Sequence, residues 1–126
     1  MSFGTDLYHI MNNDASINSE IDGGIYYENL PDNFDITKKW ILYHFLKSEQ
    51  IGCLTNKKVA TYFDVNVVLI TQSTADLVTI TDLLVNYLND EEYGSIIDVT
   101  FENDGHSFDK EKNIYVNVLE FKSLYV

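Results

Sequence analysis

Between Tyr62 and Asn89 the hydrophobic period of the chain changes from two to about 3.6 within a few residues. Val59, Phe63, Val65, Val67 and Leu69 are apolar at odd positions, while Asp64 and Asn66 stand at even ones. That alternation predicts a strand with one buried and one wetter face. Val68 and Ile70 break it, so the far end of the strand is expected to be covered on both sides. Gln72 then leads straight into Ser73 and Asp76, an S-x-x-D capping pair at a helix start. Leu77, Ile80, Leu84 and Leu88 follow at helical spacing, widened by Leu83 and Tyr87. A strand feeding directly into an amphipathic helix over 73–89 needs both apolar faces to meet, so the chain must build a sheet with a helix packed on it.

The rest of the chain supplies partners for that unit. Leu7, Ile10 and Met11 predict a short helix over 4–13 with Ser2 or Thr5 near its start, and Ile17 and Ile21 a further brief turn before Gly23 and Gly24 stop it. Residues 24–28 read as a short strand. Pro31 places a turn at 30–33 and forces Leu30 out of the helical region. A polar loop through Lys38 and Lys39 leads into an aromatic strand over 40–47; residues 48–55, with Gly52, read as a connection, and 56–58 as a turn. Residues 95–101 and 113–122 read as two further strands joined by a polar loop over 102–112, a β-hairpin with a long tip. The expected fold is α+β: a twisted, mostly antiparallel sheet with one principal helix on it, a short N-terminal helix and a C-terminal hairpin, in one domain spanning 1–126.

Composition narrows the function. The 126 residues carry a net charge of −12, and all eight basic residues are lysines. Arginine is the usual bidentate partner of phosphate and guanine, and a strongly negative field repels polyanions. Sequence-specific nucleic-acid binding and binding to anionic membranes are therefore disfavoured. At 45% hydrophobic and 13% aromatic, the chain can bury enough surface to order itself. One cysteine, Cys53, allows no internal disulfide, which suits a reducing compartment. The N-terminus lacks the basic and apolar regions of a signal peptide, and the longest apolar run, 67–70, falls far short of a membrane span.

No set of residues gathers for covalent chemistry. His106 sits among Glu102, Asn103, Asp104, Ser107 and Asp109, but the spacing matches neither a zinc site nor a calcium loop, and a solvated hairpin tip is the simpler reading. His9 and His44 fall on a helix and in an aromatic strand, where packing explains them. Cys53 beside Lys57 and Lys58 has no sequence neighbour to act as a base, no G-x-S-x-G occurs, and Asp90, Glu91 and Glu92 follow a helix C-terminus as a solvated corner. Nine tyrosines and seven phenylalanines without interleaved basic residues belong to a sheet core and to protein interfaces. No catalytic, cofactor or metal residues are expected.

The order of segments resembles the small tail-terminator and tail-completion proteins of long-tailed bacteriophages. The resemblance lies in the N-terminal helix with Ile17 and Ile21, then Gly24 to Tyr27, Leu30-Pro31 and the strand from Trp40. It continues in the strand from Tyr62 running into the helix with Thr74, Ala75, Leu77, Ile80 and Leu84, and in a closing strand–loop–strand. It covers nearly the whole chain as a pattern of spacing and residue class. The resemblance implies a homo-oligomeric ring, most often a hexamer, in the neck of the virion. Such a ring would be assembled in the host cytoplasm, ending tail-tube growth and docking the tail to the head. The partners implied are other copies of the chain, the tail tube protein and the head-completion or connector protein. Asp32, Phe34, Lys38 and Lys39 in one loop, Trp40 and Tyr43 in the aromatic strand, and Asp104, His106 and Phe108 in the hairpin loop are the expected interface residues. Surplus carboxylates along a channel would let DNA slide through without sticking. The competing reading is an acidic DNA mimic that inhibits a host restriction or defence enzyme; it needs acids along one face at phosphate spacing, whereas here they are scattered through turns and helix ends.

Overall fold

The computed structural model describes residues 2–53 and 59–126, with backbone only at 51–53 and 59. Three helices and five strands follow in the order α1 (Phe3–Asn13), α2 (Ala15–Glu20), β1 (Gly24–Tyr27), β2 (Trp40–Cys53), β3 (Val59–Thr71), α3 (Thr74–Leu88), β4 (Ile96–Asp109) and β5 (Ile114–Tyr125). The strands form one sheet in the order β1-β2-β3-β5-β4. Only β1 and β2 run parallel; every other neighbouring pair is antiparallel. The architecture is α+β, as the periodicity requires.

The β3–α3 unit forms as its pattern dictates. Val65, Val67 and Leu69 point to the helix side and are essentially inaccessible, as are Leu77, Ile80, Leu84 and Leu88 of α3. Ser73 caps α3 by accepting from the Asp76 N–H at 3.3 Å, but the reciprocal half of the capping pair is replaced: the Ser73 N–H donates to Thr71 Oγ1 at 3.3 Å. Ser73→Ala should therefore cost about 1 kcal/mol, read as a shift of the urea midpoint at unchanged slope. At the other end of the chain Ser2 caps α1 through Thr5 N and Asp14 caps α2 through Ile17 N. Helix α1 is more than an ornament. Phe3, Leu7, Ile10 and Met11 are buried in the same core, and the Phe3 ring stacks on Phe63 with centroids 4.0 Å apart.

Two strands run further than the sequence suggests. Residues 48–53 belong to β2, paired with β3 through irregular register at Lys47/Glu49 and Ile51/Cys53, where a connection was expected. The segment 102–109, expected as a loop, is strand β4 paired with β5 from Asn103↔Glu120 to Asp109↔Ile114. A hairpin forms as expected, but its tip is short rather than long: the turn itself is only 110–113. Residues 48–50 and most of 102–109 are exposed, so no apolar alternation marks them. The expected turn at 56–58 and the side chains of Cys53, Lys57 and Lys58 lie outside the described residues.

A second, smaller core sits on the face away from the helices. Trp40, Ile70 and Ile114 are buried there under Leu30, Phe34 and Ile36 of the segment between β1 and β2. This is why Val68 and Ile70 break the alternation: that end of β3 is sandwiched. Trp40 donates its indole N–H to the Asp35 carbonyl at 2.8 Å, pinning the segment down.

Candidate interaction surfaces

The two loops expected to make contacts meet at one end of the sheet. Phe34 lies against Trp40 edge-on at 5.7 Å, and Lys112 of the hairpin turn places its ammonium 5.6 Å from the Phe34 ring centroid. Asp32 and Lys38 are exposed, Phe34 and Lys39 half-buried. Lys39 is committed within the chain, 3.5 Å from Glu20 and 3.9 Å from Asp76, so it ties α2 to the start of α3. A hydroxyl and a backbone N–H from Thr37 hold the Asp35 carboxylate below its ordinary range. Trp40 and Tyr43 sit differently from the other expected interface residues: at 5% and 7% exposure their side chains are core.

The hairpin carries the remaining residues. His106 and Asp104 pair at 3.1 Å on the helix side of β4. The fully buried Asn117 donates to Thr81 Oγ1 at 2.8 Å and to Asp104 Oδ2 at 3.3 Å, which anchors the hairpin to α3. Phe108 is 42% exposed, resting one side on Tyr115. Asp104, His106 and Phe108 thus stand on one face of an outer strand, with Asp32 and Lys38 on the loop beyond its end. Among the described residues no three of His, Cys, Asp and Glu gather as a cation site.

One surface escaped the sequence. Ser2, Gly4, Thr5 and Tyr8 of the N-terminal segment, Tyr27 of β1, and Tyr43 and Phe45 of β2 line a groove of about 400 Å³. Tyr27 lies 5.3 Å from both Tyr43 and Phe45. The residues come from three separate stretches, so no local pattern announces it. Burial first, then the neighbouring Tyr8 and Tyr27 phenols, lifts the Tyr43 phenol above its ordinary 10.0. A raised pKa means that the folded chain holds this proton more tightly. Its stabilising effect is whole below the unfolded value and is lost as pH climbs through the folded one. Tyr43→Phe should therefore soften the loss of stability above pH 10.0 and change little at neutral pH, as compared by urea melts at the two conditions.

The fold is shared with a virion chain. A chain of the structure described as the virion of native gene transfer agent (GTA) particle superposes with a TM-score of 0.76. The match covers 98% of this chain and 94% of that one at 11% identity. No family model matches the sequence, and no curated protein does. At such identity the likeness concerns the path of the backbone.

Proposed function

We propose that this chain is a structural part of a phage-type virion. It forms a ring, hexameric in the reading we favour, at the head-proximal end of a tail. There it ends growth of the tail tube and docks the tail to the head connector. The observation that carries the reading is the shared fold over nearly the full length of both chains, one of them from a virion particle. The surfaces suit a part that works by shape. One end of the sheet gathers Asp32, Phe34, Lys38 and the hairpin turn as a docking face, and Asp104, His106 and Phe108 line an outer strand beside it. A charge of −12 suits a passage through which DNA must slide.

Deleting the gene tests this directly. Tails of unregulated length and unjoined heads are expected in electron micrographs, and particles purified from the wild type should contain the chain. Normal virions from the deletion would overturn the assignment. The acidic composition also supports the DNA-mimic alternative, for which the chain should capture a DNA-handling enzyme at low salt and release it at high salt. That result together with normal virions would replace the ring reading.

A further inference from the structure

We propose that copies of this chain join by sheet extension, the outer edge of β4 at 104–109 in one copy pairing antiparallel with the outer edge of β2 at 44–49 in the next. The proposal rests on the ring reading and specifies the contact that closes it. Each outer edge of the sheet is shielded over one half only. Strand β1 covers β2 from Trp40 to Tyr43, and the last bond on that side runs from Glu28 N–H to the Tyr43 carbonyl at 2.9 Å. From His44 onward no described strand lies beyond β2. On the opposite edge the turn after α3 covers the first half of β4: Asp90 N–H donates to the Val99 carbonyl at 2.7 Å, and Phe101 N–H to Asn89 Oδ1 at 3.0 Å. From Asp104 to Asp109 nothing among the described residues pairs with the outer side of β4.

Bare edges invite pairing unless lysine, proline or a bulge blunts them. The bare half of β4 has no lysine and no proline, and its register with β5 is regular from Asn103 to Asp109; the bare half of β2 is regular only from His44 to Lys47, where a lysine and an irregularity end it. The two half-edges also have compatible directions. Three successive antiparallel pairings set β4 antiparallel to β2 within the sheet. Rotation about a ring axis preserves that relation between neighbours.

The end of β1 fixes the register. Asp109 can advance only as far as His44 before meeting the neighbour's β1, which sets His106 opposite Lys47. Inside one sheet His106 stands level with Leu69 of β3 and Lys47 level with Phe63, a stagger of six residues per copy. At roughly 3.3 Å per residue and about 4.8 Å per strand, the four strands each copy places round the ring (β1 shares a column with the neighbour's β4) and this stagger give a strand tilt of about 46°, at the upper limit of closed barrels. His106 and Lys47 both lie on the helix side, so the helices stay on one side all the way round.

Side chains agree with this register. Phe108 falls opposite half-buried Phe45, Asp109 opposite His44, and the 64%-exposed Leu46 opposite Ser107. Lys47 lies diagonal to Asp104, within reach of a cross-strand ion pair. The irregularity between Lys47 and Glu49 turns Glu49 to the open face, away from Asp104.

The test is a cysteine pair, Leu46→Cys with Ser107→Cys, in the full chain with Cys53→Ser. Oxidation should give a reducible ladder of multimers on a denaturing gel, from the purified chain at high concentration or from purified particles, while each single variant stops at dimer. Phe108→Lys should abolish multimers in sizing without changing the far-UV spectrum. A ring seen by sizing or microscopy that yields no ladder and tolerates Phe108→Lys overturns edge pairing and leaves the ring intact. A chain that stays monomeric in solution and is missing from particles overturns both.

Discussion

Leu84→Asp is expected to leave no cooperatively folded chain. Leu84 is wholly inaccessible, at the centre of the α3 stripe formed by Leu77, Ile80 and Leu88, and it faces the buried side of the sheet. Truncating such a leucine to alanine costs about 2–5 kcal/mol, because transfer energy is lost and a cavity remains. Aspartate adds the cost of an unpaired carboxylate in an apolar site, several kcal/mol more. The whole stability of a chain this size is about 5–15 kcal/mol. The sum is therefore comparable with what is available. Far-UV circular dichroism and urea titration decide it: Leu84→Asp should show no sigmoidal transition, and Leu84→Ala a transition at a lower midpoint. A cooperative melt of Leu84→Asp near the wild-type midpoint would mean that α3 does not close the core.

The β3–α3 unit was legible because burial on one face leaves a period in the sequence. Val65, Val67 and Leu69 keep period two, Leu77 to Leu88 keep the helical period, and both runs are buried where those periods place them. Helix α1 was legible for the same reason through Leu7, Ile10 and Met11. The second half of β4 left no such mark. Its residues after Phe101 are mostly exposed, and Asn103, Asp104 and Gly105 have the chemistry of a turn. What makes them a strand is the ladder to β5, a pairing between distant segments that local propensity does not encode. The same holds for β2 beyond Lys47, where Glu49 and Gln50 are exposed yet paired with β3 and Ser48 is the extra residue at the irregularity.

The candidate surfaces were legible in part, and the reason is again physical. Loop residues such as Asp32 and Lys38 carry charged ends that favour water, and they stay outside. The hairpin residues Asp104, His106 and Phe108 were singled out on chemistry, although as members of a loop. Trp40 and Tyr43 show the converse difficulty. An aromatic β-prone strand announces that it will be covered without saying by what. For Tyr43 the cover is α1 and β1, with the Tyr8 and Tyr27 rings 6.4 and 5.3 Å away. For Trp40 it is the segment 30–36 folding back over the open face. A cover made by the chain itself and one made by a neighbour leave the same trace in the sequence.

Trp40→Ala is the second substitution with a large expected effect, and it separates stability from docking. The indole is 5% exposed, packed against Phe34, Tyr26, Ile70 and Ile114, and hydrogen-bonded to the Asp35 carbonyl. Gly23 passes so close that a Cβ there would stand 2.4 Å from the ring, so backbone as well as side chains is moulded to it. Losing a buried aromatic of this size costs about 3–5 kcal/mol. The larger core under the helices does not use Trp40, so a destabilised sheet is expected to survive while the 30–36 segment loses its anchor. Hydrogen exchange should then rise most at residues 30–39, and the urea midpoint should fall. Trp40→Phe should recover part of the packing but not the bond to Asp35. Unchanged exchange across 30–39 in Trp40→Ala would show that Leu30, Phe34 and Ile36 hold the segment by themselves. The proposed docking face would then be independent of the small core beneath it.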